Sequence, residues 1–207
     1  MKKLTSTAGY SLVETLVAIT ILMLAIAGPL TIAFKGMQSA QFAKEQTTAF
    51  LLAQEGIEAV TYIRNEFIIR SFNGAGGNTM QNVWDWVADN DLDPCFVNDE
   101  VSFAADGDVG CNLDFRDSNL RDSNSVADCS TISNCLMDYS PSTNPPYRLN
   151  NGAASNDSQF TRVISLEHVN NREIKVTSEV SWRASIFDAN ESVQLRTYLF
   201  KLFDGLP

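Results

Sequence analysis

A long run of apolar residues lies near the start of the chain. From Tyr10 to Phe34 the run spans twenty-five residues, and Glu14 carries its only charge. A helix of that length reaches about 37 Å at ~1.5 Å per residue, which exceeds the ~30 Å of a membrane hydrocarbon core. The run therefore predicts a membrane-spanning helix over residues 10–36. Pro29 removes a backbone hydrogen bond, so a kink or local melting is expected there.

From residue 37 to about residue 70 the pattern becomes that of an amphipathic helix. Apolar residues recur there at steps of three, four and seven, namely Phe42, Ala49, Phe50, Ala53, Ile57, Val60, Ile63 and Phe67. Polar and charged residues occupy much of the remainder. Such a stripe is typical of the helix face that packs on a sheet, although it also fits a groove for a partner.

The last part of the chain, residues 159–207, has the pattern of strands. Apolar side chains alternate with polar ones through Ile174, Val176, Val180 and Trp182, which indicates a half-exposed strand. Further strands are predicted over about 160–169 and 192–203, with a tight turn at Asn170-Asn171. The fold class that follows is α+β, with a long N-terminal helix packed on a C-terminal antiparallel sheet.

Residues 71–158 show little periodicity and are rich in Asn, Asp, Ser and Gly. They are predicted to be a variable loop region between the helix and the sheet. The total length of 207 residues leaves room for one domain with a moderate core outside the membrane.

The charge distribution excludes one class of partner and predicts the topology. The formal net charge is −10, and without Lys2 and Lys3 it becomes −12, from 13 basic and 25 acidic residues. So acidic a surface argues against direct nucleic-acid binding, which needs clustered Lys and Arg. Lys2 and Lys3 precede the apolar run, and the positive-inside rule places them in the cytoplasm and the rest of the chain outside.

Four cysteines in an extracytoplasmic chain indicate two disulfides. Cys129 and Cys135 would close a small loop, and Cys95 and Cys111 a longer one, although three pairings are open from sequence alone. Metal ligation by the thiolates is the alternative, and the absence of a CxxC pair in the sequence argues against it.

The start of the chain resembles the type IV pilins and the pseudopilins of type II secretion. Those proteins carry a short basic leader of the kind seen in residues 1–9, then a Gly, an aromatic residue, Glu at the fifth mature position and an apolar run. Gly9, Tyr10 and Glu14 match these positions, although Phe is commoner than Tyr at the first mature position. An ordinary secretory signal would place its cleavage site after the apolar region rather than before it.

The resemblance implies how the chain is processed. A membrane prepilin peptidase would cut between Gly9 and Tyr10 and would N-methylate Tyr10. Glu14 would then pair with the terminal amine of a neighbouring subunit during assembly. A carboxylate inside a membrane span is costly, by ~2.5–3.5 kcal/mol for a central aspartate and less near an end. Such an acid therefore needs a partner, and this amine is one.

The implied function is structural. The chain would be a subunit of a type IV pilus or type II secretion pseudopilus, and weak similarity around Val180-Ser181-Trp182 indicates a minor one. Its partners would be the prepilin peptidase, other pilin or pseudopilin subunits in a helical filament, and the inner-membrane assembly platform. An enzyme is not expected, because the sequence shows no nucleophile–base pair or metal triad. His168, the only histidine, is interpreted as structural.

One acidic stretch has a spacing similar to that of a calcium-binding loop. Asp89, Asp91 and Asp93 occupy alternate positions, and Glu100 stands at the twelfth position, a spacing similar to that of an EF-hand loop. Pro94 stands where an EF-hand has its glycine, so a solvated acidic loop is the simpler interpretation. Some pseudopilins bind calcium, which keeps the hypothesis open. An alternative function is therefore a membrane-anchored surface adhesin or calcium-dependent binding protein acting through residues 71–158.

Overall fold

The structure is a computed structural model of the full chain. It describes residues 9, 11–72, 92–97, 110–113, 126–130, 135–142, 146–149, 157–170, 172–184 and 189–200. The chain divides into two compact units, residues 1–44 and residues 45–207, and each is described by itself.

A single helix, α1, runs from Leu12 to Phe72. Ser11 precedes it and is a favoured residue type for the N-cap position. The carbonyl oxygen of Ser11 accepts a hydrogen bond from the backbone N–H of Thr15 at 3.2 Å, which closes the first turn. The helix continues through Pro29 without a break, so the local melting expected there does not occur in the single chain.

In the first unit, α1 is exposed over most of its length. Every described side chain from Ser11 to Gln41 is exposed. The most apolar stretch of the helix is entirely exposed. By length and composition this helix can cross a membrane, as the sequence predicted.

In the second unit, seven strands form one antiparallel sheet. In chain order they are β1 (Cys111–Leu113), β2 (Val126–Asp128), β3 (Leu136–Tyr139), β4 (Tyr147–Leu149), β5 (Asp157–Asn170), β6 (Glu173–Ala184) and β7 (Ala189–Phe200). The long strand β5 pairs with β6 on one side and with both β1 and β3 on the other. β1 also pairs with β2, β3 with β4, and β6 with β7.

The C-terminal meander predicted from sequence is confirmed by the order of β5, β6 and β7. The turn lies where Asn170-Asn171 predicted it, and the side-chain oxygen of Asn170 accepts a hydrogen bond from the N–H of Arg172 at 2.9 Å. β1 to β4 lie in the region predicted as loop, so that prediction was wrong for these segments. Strands of three or four residues are too short to show a clear period of two.

The second part of α1 packs on this sheet, so the predicted α+β fold class is confirmed. The buried residues of the helix include Ala49, Leu52, Ala53, Gly56, Ala59, Val60 and Ile63. Of these, Ala59, Val60 and Ile63 form one core with inward-facing residues of the sheet, which include Ile164, Leu166, Ile174 and Val176.

The predicted stripe was only partly correct. Phe50 is 46% exposed, and Leu52 is buried instead. The reason is a close approach of helix and sheet at Gly56, where an added Cβ would lie 2.5 Å from the Ser178 side-chain oxygen and 3.3 Å from Ile164 Cδ1. The contact selects the face of α1 with the smallest side chains rather than the one with the largest.

Candidate functional site

The residues of the predicted processing site lie at the start of the chain. Gly9 is exposed, and among the described residues no other side chain or backbone atom lies within 4 Å of the position that a Cβ would take. Tyr10 lies outside the described residues. Glu14 is exposed in the first turn of α1. The Glu14 carboxylate is therefore open to a partner.

The first turn of α1 has the residue types and spacing of a capping box, although neither Ser11 nor Glu14 makes a side-chain hydrogen bond with the residues that the structure describes. Ser11 at the N-cap and Glu14 three residues later match the capping box, in which the acid reaches back to the N-cap backbone N–H. An acid in the first turn also interacts favourably with the helix dipole, by about 0.3–1 kcal/mol. Glutamine can take the same capping position, so a Gln substitution separates the charge from the cap.

The first part of α1 presents a large apolar surface. Its large exposed side chains are Leu12, Val13, Leu16, Val17, Ile19, Ile21, Leu22, Met23, Leu24, Ile26, Leu30, Ile32 and Phe34. A contiguous apolar surface of this kind marks contact with a membrane or with other proteins. Lipid or neighbouring helices would have to cover it.

Four residues were predicted as calcium ligands, namely Asp89, Asp91, Asp93 and Glu100. Asp89, Asp91 and Glu100 lie outside the described residues. Asp93 begins a short 3-10 turn, Asp93–Cys95, but its side chain is not described. Within the part of the chain that is described, no group of three or more His, Cys, Asp or Glu could hold a metal ion. The calcium loop stays a prediction.

Both disulfides are present, in the pairing that the sequence analysis named. Cys95 is joined to Cys111, and Cys129 to Cys135. The first bridge ties the 3-10 turn to β1 within the core, and both of its cysteines are fully buried. Gly110 leads into this bridge with a φ of 103°, and a Cβ there would lie 2.6 Å from the carbonyl oxygen of Ile164. Only glycine fits that approach without strain.

A buried arginine is the main feature that sequence reasoning missed. Arg162 lies on β5 with a relative exposure of 1%. Its Nε donates to Asn112 Oδ1 at 2.7 Å, and its Nη2 donates to the Leu113 carbonyl oxygen at 2.6 Å. Its Nη1 donates to the Leu52 carbonyl oxygen at 3.4 Å and lies 3.4 Å from Glu55 Oε2. One guanidinium thus joins β5, β1 and α1.

The alternating pattern of β5 could have indicated from the sequence that this arginine is buried. Phe160, Arg162, Ile164 and Leu166 occupy alternate positions of β5, and all four are buried. A charged residue on the apolar face of a strand is costly unless it is paired and hydrogen-bonded, so its presence there predicts a network. Its role is structural, because it ties β1, and with it the Cys95–Cys111 bridge, to α1.

An aromatic row crosses one end of the sheet. Ring centroids are 5.0 Å apart for Tyr139 and Tyr147, 5.7 Å for Tyr147 and Phe160, and 6.2 Å for Phe160 and Trp182. Burial, and then the neighbouring Tyr139, raise the pKa of Tyr147. His168 lies elsewhere on β5, half-buried and opposite Ile174. Packing explains the row without a ligand.

Comparisons of the chain with protein-family models, with curated proteins and with solved structures each found no match. Its function is therefore inferred from the residues described above.

Proposed function

We propose that this chain is a structural subunit, of the minor type, of a type IV pilus or a type II secretion pseudopilus. The observation that carries the proposal is the first part of α1. Its apolar side chains from Leu12 to Phe34 are exposed, and the only acid of that stretch, Glu14, lies in the first turn, four residues after Tyr10 in the sequence.

The electrostatics of Glu14 favour assembly over simple anchoring. Burial of a carboxylate in a membrane penalises its charged form, and a nearby ammonium offsets that penalty. Cleavage after Gly9 would create such an ammonium at Tyr10. An anchor has no use for the acid beyond the helix cap. A filament gives it one, because the Tyr10 amine of the next subunit can dock against it in a water-poor setting where the attraction is stronger.

The second unit suits a subunit that functions outside the cytoplasm. Its two disulfides are typical of oxidising compartments. Part of α1 within this unit also presents apolar side chains outward, with Phe50 at 46%, Leu51 at 59% and Tyr62 at 55% exposure. We infer that neighbouring subunits pack against this helix face as well as against the apolar span.

Processing is the first test of the proposal. Mass spectrometry of protein extracted from membranes should find an N-terminal peptide that begins at N-methylated Tyr10. Gly9→Val should leave the leader attached, because a branched side chain hinders close approach of the peptidase to the backbone. An intact Met1 terminus in assembled material would contradict the proposal and would leave a membrane-anchored surface protein.

A further inference from the structure

The start of β7 carries a triplet that the proposed function does not use. Asn190-Glu191-Ser192 has the form N-x-S, which is the acceptor sequence for N-linked glycosylation. We propose that Asn190 is an acceptor for an N-linked oligosaccharide. This inference rests on the proposed function in one respect, namely that the second unit lies outside the cytoplasm, where such a transfer takes place.

The geometry of β7 presents the triplet to an enzyme. Asn190 and Ser192 are both exposed, and as alternate residues of one strand they lie on the same face of the sheet. Glu191 lies on the other face and is half-buried. Among the described strands β7 pairs only with β6, and none of the others lies beside its second edge. An enzyme can therefore approach the triplet from the outer face and from the edge.

A second triplet in the chain is less suited to the reaction. Asn156-Asp157-Ser158 has the same form. The Ser158 hydroxyl is half-buried and accepts a hydrogen bond from the N–H of Phe160 at 3.1 Å. An oligosaccharyltransferase recognises this hydroxyl by binding it. A hydroxyl that is already hydrogen-bonded inside the fold is less accessible to the enzyme. The exposed Ser192 hydroxyl has no hydrogen bond among the residues that the structure describes.

The reaction needs a donor and an enzyme, both from outside this chain. The donor is an oligosaccharide joined to a lipid through a diphosphate. The side-chain amide nitrogen of Asn190 would attack C1 of the first sugar and form a C–N bond. The bond from C1 to the diphosphate oxygen breaks, and its electron pair leaves with the lipid diphosphate. A base of the oligosaccharyltransferase takes the proton that the amide loses, so the transfer involves no oxidation or reduction.

The position of the sugar has a physical consequence. An edge strand of twelve residues offers a row of backbone groups with which another chain could pair. Proteins usually protect such edges with charges, bulges or a cover. β7 carries only Glu191 and Arg196 as charged residues. A hydrated oligosaccharide on Asn190 would cover the start of this edge.

The test uses the full-length tagged chain, purified from the membranes of the cells that make it. Trypsin releases residues 184–196 as one peptide, in which Asn190 is the only asparagine. Mass spectrometry should find this peptide with a saccharide mass increment on Asn190. The increment should be lost in Asn190→Gln and in Ser192→Ala, and kept in Ser192→Thr, which retains the hydroxyl.

A positive control uses the β5–β6 turn. Arg172→Thr places a hydroxyl two residues after Asn170, and Asn170 and Arg172 are both exposed. If Asn170 of that variant is glycosylated while the 184–196 peptide is unmodified, the proposal is overturned and the extracytoplasmic location stands. An increment that survives Asn190→Gln would lie on a serine and would also overturn it. If neither position is modified, the proposal fails, and the N-terminus of the same sample decides whether the proposed function fails with it.

Discussion

Arg162 on β5 donates a hydrogen bond from Nε to Asn112 Oδ1 on β1 at 2.7 Å, which links the disulfide-bearing segment to the centre of the sheet. Arg162→Ala removes this bond and also leaves the buried Leu113 carbonyl without its donor. Breaking a buried ionic network from one side typically costs about 3–5 kcal/mol. We expect a loss of this size in the free energy of unfolding, measured by urea titration of the detergent-solubilised protein.

Two further variants show what the network contributes. The Glu55 side chain is 28% exposed. Glu55→Gln should therefore lower the free energy of unfolding by less than Arg162→Ala does, because the three hydrogen bonds that Arg162 donates to Asn112, Leu113 and Leu52 remain. Arg183, an exposed arginine on β6, is the matched control, and Arg183→Ala should cost far less, because the contacts of exposed charges contribute only about 0–1 kcal/mol. Equal effects of Arg162→Ala and Arg183→Ala would show that the buried network does not hold the fold together.

The contact between Gly56 and Ser178 gives a second test. Alanine is normally favoured over glycine in a helix by about 1 kcal/mol. At this position a Cβ would lie 2.5 Å from the Ser178 oxygen, and overpacking costs about 1–3 kcal/mol. We expect Gly56→Ala to lower the free energy of unfolding, and to lower it less in a Ser178→Ala background.

Ser178→Ala alone should be neutral or stabilising. The Ser178 hydroxyl is buried and makes no hydrogen bond with the residues that are described, and such a group costs about 1–3 kcal/mol. A double-mutant cycle measures the coupling, for which residues in contact usually show about 0.5–3 kcal/mol. A stabilising Gly56→Ala in the wild-type background would mean that α1 and β6 lie further apart than described.

The aromatic row predicts a dependence on alkaline pH. Burial favours the neutral phenol of Tyr147 and so raises its pKa above the ordinary value, and Tyr139 adds to the shift. Because the folded-state pKa is higher than the unfolded one, this contribution to stability is complete below pH ~10 and is lost as the pH rises through the folded pKa. Tyr147→Phe should therefore flatten the alkaline fall in the free energy of unfolding.

Ultraviolet absorbance of tyrosinate checks the same assignment directly. In the folded protein Tyr147 should ionise at a higher pH than an ordinary tyrosine. Tyr139→Phe should lower the pKa of Tyr147 part of the way back, because this substitution removes the smaller of the two causes. An alkaline stability profile that is unchanged in Tyr147→Phe would contradict the burial of this phenol.

The sequence predicted the elements in which a periodic pattern continues over many residues. It did not predict features that depend on contacts between residues far apart in the chain. Helix α1 and the β5–β6–β7 meander follow from periods of 3.6 and two. The face of α1 did not follow, because Gly56 and its close approach to Ser178 decide it and large side chains such as Phe50 turn outward. Local propensity gives no information on that distance.

The residues discussed as functional or structural sites were likewise predictable only where they are close in sequence. Gly9, Tyr10 and Glu14 are close in sequence, so their pattern can be recognised without a structure. Arg162 and Asn112 are separated by 50 positions, and only the fold brings them together. An arginine at a core-facing position of β5 showed that partners were needed, but the sequence did not show which residues supply them.

Glu14 is central to the proposed function, and two substitutions separate its charge from its cap. Glu14→Leu removes both, while Glu14→Gln keeps a side chain that can complete the capping box with Ser11. Both variants should insert into the membrane as well as the wild type, because each removes a costly charge from the span. Glu58, an exposed acid of α1 in the second unit that accepts a hydrogen bond from Gln54, is the matched control as Glu58→Gln.

The most direct measurement is the filament-to-membrane ratio of the tagged protein in cells that supply wild-type major subunit. We expect this ratio to fall strongly in Glu14→Leu and nearly as far in Glu14→Gln, and to stay at the wild-type value in Glu58→Gln. This result would mean that assembly needs the negative charge rather than the helix cap. An unchanged ratio in both Glu14 variants would contradict the assembly role and would leave α1 as an anchor.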